Sequence, residues 1–264
     1  MTQHIPKPSM GILNLDQAKY HLNRYTPSED IGFFVKHFWI VSWDLTGQEP
    51  YLQSVVPNPC VNLIFEPGKS AVYGAAKQTY SILLQDKGCV VGAKFKPGGF
   101  YPFIQQSVSE LLQRPMEIYD LLGIEARTAE ELILSQTEET KMVEFVESLI
   151  RPKLPERDEN IILINQIIDR IAGEREFTKV DQVTECFSIN IRKLQRLFEQ
   201  YVGLSPKTVI KLYRLQNAAE AMDRGHQLDL LELSLKLGYY DQSHFIKDFK
   251  ATVGKTPEAY TKQA

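Results

Sequence analysis

Ser234-Leu235-Lys236-Leu237-Gly238-Tyr239-Tyr240-Asp241-Gln242-Ser243-His244-Phe245-Ile246-Lys247-Asp248-Phe249 is the stretch on which the reading of this chain turns. Leu231, Leu235 and Leu237 give an apolar stripe close to helical spacing, and Gly238 supplies the permissive backbone that ends a helix. Asp241 then offers a side-chain oxygen to the free amides of a new helix. Phe245 and Phe249, four apart, anchor that helix inward. Gln242, Ser243, His244, Ile246 and Lys247 surround them, and most of these can hydrogen-bond. A short helix with an apolar back and a polar, basic front is what a DNA major groove accepts.

The design occurs twice. Asn190 caps a helix that continues Ile191-Arg192-Lys193-Leu194-Gln195-Arg196-Leu197-Phe198, with Leu194 and Phe198 in the places of Phe245 and Phe249. Arg192, Gln195 and Arg196 stand where the polar front stood. The two caps are 51 positions apart, and each helix runs into a similar tail, Gly203-Leu204-Ser205-Pro206 and Gly254-Lys255-Thr256-Pro257. A repeat of this kind is far more specific than one helix-turn-helix pattern. The predicted helix Lys207–Met222, with Val209, Leu212, Leu215 and Ala219 inward, ties the two copies together. A rigid tie would set two reading helices about one DNA turn, ~34 Å, apart.

Thr178–Tyr260 resembles the tandem helix-turn-helix DNA-binding domain of AraC-type (AraC/XylS) transcription regulators. The resemblance is carried by Leu194 through Phe198, Gly203 through Pro206, Arg214-Leu215, Ala218-Ala219, and Gly238 through Phe249 with Pro257. It departs from the pattern at Thr184 and Ser234, where a small residue is usual, and at Lys247, where arginine is common. Lysine there favours a single charge over a bidentate fork.

The DNA-binding candidates are Arg192, Lys193, Gln195, Arg196, Gln242, Ser243, His244 and Lys247. Arg196 either pairs with Glu199 or Glu185 or contacts a base or phosphate beside Arg192 and Gln195. Gln242 can pair an adenine edge, and Lys247 can reach guanine or phosphate. His244 either holds the helix start or contacts DNA. Phe198, Phe245 and Phe249 read as core.

The chain has 264 residues and a net charge of −3, and 43% of it is hydrophobic, enough for two domains with sizeable cores. Residues 156–264 hold 16 basic and 16 acidic residues, so the global basic signature of a nucleic-acid binder is absent. Local clusters must act instead: Arg192, Lys193 and Arg196 against Glu199, and Lys247, Lys250 and Lys255 against Asp248. No apolar run approaches a membrane span, and the polar, Pro-broken start is not a signal peptide. Cys60, Cys89 and Cys186, odd in number and far apart, point to reduced thiols in a cytoplasm. Cys60 and Cys89 either meet across strands as a redox switch or are buried thiols, and buried thiols are the favoured reading.

Ahead of the repeat, residues 1–30 carry prolines and little periodicity, a surface lead-in. From Gly32 the period becomes two: His37, Trp39, Val41 and Trp43 share one strand face, Phe38, Ile40 and Ser42 the other. Tyr51–Val56, Cys60–Phe65, Ala71–Ala75, Thr79–Gln85 and Cys89–Phe95 read as further short strands. Pro102–Leu112, Ile118–Leu122, Ala126–Leu134 and Glu138–Ile150 read as helices, and 151–158 as a charged, two-proline linker.

The first 150 residues resemble a sensor-like domain found ahead of such repeats. The carriers are His37-Phe38-Trp39, Val56 through Ile64, Val91 through Gly99 and Ser109-Glu110-Leu111. In the family this part is often cupin-like and binds effectors or dimerises. Trp39, Trp43, Phe65 and Tyr73 either line an effector pocket or are core.

The expected fold is therefore α+β: a small cupin-like β barrel or sandwich with trailing helices over 1–150, a linker over 151–158, and an all-α tandem helix-turn-helix over 159–264. No metal or cofactor is expected, because the five histidines (His4, His21, His37, His226, His244) are scattered and no His-x-His or Cys-x-x-Cys occurs. Phosphate-cradling and nucleophile motifs are also missing, so the chain reads as a cytoplasmic regulator and not an enzyme. The expected partners are double-stranded promoter DNA, a small-molecule effector, RNA polymerase and a second copy of the chain, with no membrane. The alternative is a ligand-binding or enzymatic β-barrel protein with a vestigial helix-turn-helix domain.

Overall fold

The computed structural model describes residues 19–173, 177–223 and 230–261, so His4 and His226 lie outside the described residues. The N-terminal part is built on period-two alternation. Its strands are β1 (His21–Tyr25), β2 (Val35–Asp44), β3 (Tyr51–Val55), β4 (Asn62–Phe65), β5 (Ala71–Tyr73), β6 (Tyr80–Leu84) and β7 (Lys87–Phe95). They form an antiparallel five-stranded sheet in the order β1-β2-β7-β4-β5 and a two-stranded ribbon β3-β6. Strand β1 falls in the expected lead-in. Its His-Leu-Asn-Arg-Tyr alternation is mostly polar, and its role is to pair with β2 at the sheet edge, Leu22 opposite Val41 and Arg24 opposite Trp39.

Each face of the large sheet has its own partner. Phe38, Ile40, Leu63, Phe65, Val91, Ala93 and Phe95 are nearly or fully buried on the face that packs on helices. Those helices are α1 (Tyr101–Ile104), α2 (Ile118–Leu122), α3 (Ala126–Leu134) and α4 (Glu139–Ile150). Burying a Phe of this kind stabilises by about 1.5–3 kcal/mol. The opposite face carries His37, Trp39, Val41 and Trp43 and meets the β3-β6 ribbon across a cavity.

Glycines make room on that face. Trp39 is paired with Gly92 and Trp43 with Gly88, and a Cβ on either glycine would lie 2.2 Å from the facing indole. The two indoles therefore lie flat against the β7 backbone and floor the cavity.

The C-terminal part comprises α5 (Glu159–Gly173), α6 (Val180–Cys186), α7 (Ile191–Leu197), α8 (Pro206–Asp223), α9 (Leu230–Lys236), α10 (Gln242–Val253) and α11 (Pro257–Thr261). Residues 151–158 lead into it and are tied down. Arg151 pairs with Asp30 and Glu147, the Arg157 guanidinium sits 5.1 Å from the Phe33 ring centre, and Asp158 accepts from the Tyr201 hydroxyl at 2.5 Å. Burial and the Asp158 bond push that hydroxyl's pKa up to about 12.

The large core runs without a break from Ile31 in the β domain through α5 and α7 to Leu212 in α8. A second core, from Leu215 to Tyr260, begins one turn later in the same helix.

Candidate functional site

In the first module, α6 and α7 meet through a turn in which Ser188 takes a left-handed φ of 49°. Ser188 N donates to Glu185 O at 3.3 Å and Ile189 N to Thr184 O at 3.0 Å. Asn190 then caps α7, its Oδ1 accepting from Arg192 N at 2.8 Å. Leu194 and Phe198 are fully buried and Leu197 nearly so. That rotation leaves Arg192, Lys193, Gln195 and Arg196 exposed, and none of the three cations forms an ion pair with a described residue.

The second module repeats each feature. Gly238 (φ 70°) donates to Leu235 O at 2.8 Å, and Tyr239 N to Ser234 O at 3.0 Å. Asp241 caps α10 by accepting from His244 N at 2.9 Å, and its second oxygen lies 2.9 Å from His244 Nδ1. Phe245 and Phe249 are fully buried. Ser243, His244 and Lys247 are exposed and Gln242 is half-buried. The repeat is 50 positions in the first helices and turns and 51 from the caps onward. The added residue is Tyr240, which is 97% exposed.

One element differs from the sequence expectation. Leu231 and Leu235 are not an inward stripe but are half exposed, at 50% and 56%. Helix α9 turns Leu233, Ser234 and Leu237 inward instead, with Ser234 fully buried and its hydroxyl donating to Leu231 O at 2.8 Å.

Two residues of α8 set the modules against each other. The Arg214 guanidinium lies 5.1 Å from the Tyr239 ring centre and reaches Thr178 O, while Lys211 pairs with Asp248 at 3.2 Å. The Tyr239 hydroxyl also donates to Asp248, and burial together with that carboxylate raises its pKa. Both modules end on a left-handed glycine that touches the β domain. A Cβ on Gly203 would lie 3.0 Å from Val108 O, and one on Gly254 3.2 Å from the Thr79 methyl. The second module is further held by Thr79, which bonds the carbonyls of Ala251 and Thr252, and by Gln216 Nε2 donating to Pro57 O at 2.7 Å.

The cavity between the two sheets measures about 140 Å³. It brings together two of the four expected pocket residues, Trp39 and Trp43. Phe65 is on the other face of the sheet, in the core, because its strand position is odd relative to Asn62 and Ile64. Tyr73 lines a separate surface hollow, its hydroxyl donating to Lys69 O at 2.9 Å. The alternation reading did not single out Arg24, His37, Lys94, Gln53 and Asn58 as cavity residues. The signal that could have found them is a polar side chain at the same strand parity as the tryptophans. Burial and the neighbouring Lys94, Arg24 and Lys36 charges push His37 down to about 2. The redox pair is not formed. Val61 bonds the Phe95 end of β7, six residues from Cys89, a span of about 20 Å at strand rise.

Two capped helices on a shared scaffold make the C-terminal part a tandem helix-turn-helix unit, and comparison with known proteins agrees. Residues 183–263 match a family model described as a helix-turn-helix domain, and residues 23–117 match one described as a domain of unknown function. The F1 operon positive regulatory protein of Yersinia pestis is 35% identical over 99 residues, which are 37% of this chain and 33% of that protein. The HTH-type transcriptional regulator MtrA of Neisseria gonorrhoeae is 30% identical over 101 residues, 38% and 32% of the two chains. The chain spans about a third of the length of these curated relatives. Among solved structures, ToxT from Vibrio cholerae with a bound unsaturated fatty acid aligns over 94% of this chain and 97% of that one, at 12% identity and a TM-score of 0.38. Residues 183–263 are a helix-turn-helix domain.

Proposed function

We propose that the chain is a sequence-specific DNA-binding transcription regulator that reads two adjacent major-groove segments and answers to a small effector held between the β sheets. The observation that carries this reading is the repeat of α7 and α10. Both start on an Asx cap, carry buried anchors at the same two positions and expose a polar front; α10 ends on the left-handed Gly254, and α7 reaches the left-handed Gly203 through a π-helical turn, Phe198–Val202. Packing alone explains a repeated back; it does not explain a repeated front. In this reading Arg192, Lys193 and Lys247 position the domain on phosphates, Arg196 forks onto guanine, and Gln242 pairs adenine. Ser243 and His244 sit at the start of α10, where side chains reach base edges. Residues 1–150 form the sensing domain, 151–158 the connection and 159–264 the reading domain. The names of the relatives support it, since both are described as regulators.

The test is a mobility-shift titration on a site selected from random duplexes, beside a scrambled duplex. Arg196→Ala and Gln242→Ala should each weaken the selected site by about 1–3 kcal/mol and leave the scrambled one almost unchanged. Equal loss on both duplexes refutes the base-reading roles.

A further inference from the structure

The walls of the cavity leave one charge unbalanced. Lys94 rises from β7, flanked on the same face by His37 of β2 and Asn62 of β4. It is 7% exposed, and among the described residues no carboxylate pairs with it and no acceptor takes its protons. Its charged neighbours are Lys36 and Arg24, of like sign. Among the described residues the one carboxylate lining the cavity is that of Glu66, which lies 3.6 Å from Lys69. A buried ammonium in such a place is costly unless an anion joins it. Gln53, 6% exposed, also points in; its Nε2 donates to Ser54 O, and its Oε1 has no partner among the described residues.

Trp39, Trp43, Val41, Val55, Leu84 and Val90 make a continuous apolar part of the lining, and Arg24, Asn58 and Tyr80 also face the cavity. The volume of about 140 Å³ is near that of engineered apolar cavities that hold one benzene ring. An apolar body suits the indoles and branched aliphatics of this part better than a ring of hydroxyls would, since each hydroxyl buried there would need its own partner.

We propose that the cavity binds a small monocarboxylate with an apolar, ring-sized body, its carboxylate on Lys94 Nζ and its body on Trp39 and Trp43. This names the chemical class of the effector and rests on the reading of the cavity as the effector site. The seat is also wired to the second module. Tyr80 and Asn58 line the cavity, and their chain neighbours Thr79 and Pro57 hold α10 and α8.

Calorimetric titration of the full chain tests the class, with benzoate and hexanoate as probes against benzamide and hexanamide. The carboxylates should saturate one site and bind at least about tenfold more tightly than the amides. Lys94→Met keeps the unbranched stem and removes the charge; it should abolish the preference while the amides still bind. Gly92→Ala, which pushes the Trp39 indole into the cavity, should weaken both probe types alike. Equal affinity for acid and amide overturns the proposal, as does a preference that survives Lys94→Met or an absence of saturation by either acid up to about 10 mM. A mobility shift with and without ligand separates the two readings. Carboxylate binding that leaves DNA affinity unchanged keeps the site and removes the effector role. A DNA response to the amides alone keeps the effector role and removes the carboxylate.

Discussion

Phe198 and Phe249 occupy the same place in the two helix-turn-helix modules, and both are fully buried. Phe198 belongs to the core that begins in the β sheet and ends at Leu212. Phe249 belongs to the separate core of Leu215 to Tyr260. One module is thus fused to the β domain, while its copy is attached through α8 and a few polar contacts. Cooperative units follow shared apolar packing, so the first module should open only with the β domain and the second on its own. A displacement of Tyr80 or Asn58 would therefore be passed to α10 without unpacking α7.

The largest test of this contrast is Phe198→Ala beside Phe249→Ala. Each should cost about 3–5 kcal/mol. Hydrogen exchange should then show loss of protection across the sheet, α5 and α7 in the first variant, and across α9, α10 and α11 alone in the second. Loss spread over the whole chain in both would mean a single unit and dissolve the distinction. Gln216→Leu comes next. It removes the donor to Pro57 O and leaves a buried carbonyl unpaired, a cost of about 1–3 kcal/mol. Protection should fall in α9 and α10 and hold in α7.

Much of this was legible from residue types and spacing. The Asx caps, the paired anchors four apart and the glycine tails announce α7 and α10 because each has a local physical cause. The strands from Gly32 onward were legible because their inward residues alternate. Helix α9 was not, because leucine fills so many of its positions that periodicity cannot choose a face; the buried serine, Ser234, was the better guide. The seat of Lys94 was hidden for a different reason. A charged residue in a strand reads as solvent-facing until a second sheet covers it, and the ribbon that covers it is joined only by tertiary packing. Trp39 and Trp43 matched to Gly92 and Gly88, both four apart, is a signal that becomes visible once the β2-β7 register is known.

Acid should act on the first unit and spare the second. His37 titrates at about 2 in the folded chain against an ordinary 6.5. The unfolded chain therefore takes up a proton first as pH falls, and stability is lost below about 6.5 at up to ~1.4 kcal/mol per pH unit. Urea unfolding at pH 7 and 5.5 should show His37→Gln losing less stability than the wild type, by about 1–1.5 kcal/mol. The difference should appear in near-ultraviolet signals of the β domain. An identical pH response in the two proteins would mean that the imidazole is not shielded.

The smallest effect lies in the turns. Ser188 and Gly238 close the same hydrogen-bonded turn with positive φ, 49° and 70°, but only the second is a residue suited to it. Ser188→Gly relieves the Cβ at the expense of a more flexible unfolded chain, so the net gain should stay below about 1 kcal/mol. Gly238→Ser should cost more than Ser188→Gly gives. Its Cβ would also stand 3.4 Å from both Thr178 and Arg214, where the two modules touch. Denaturant midpoints that moved equally in both directions would show that the intermodule contact yields freely. A larger loss at Gly238 would show that the second turn is a joint held by its neighbour, as the attachment through Thr178 and Arg214 requires.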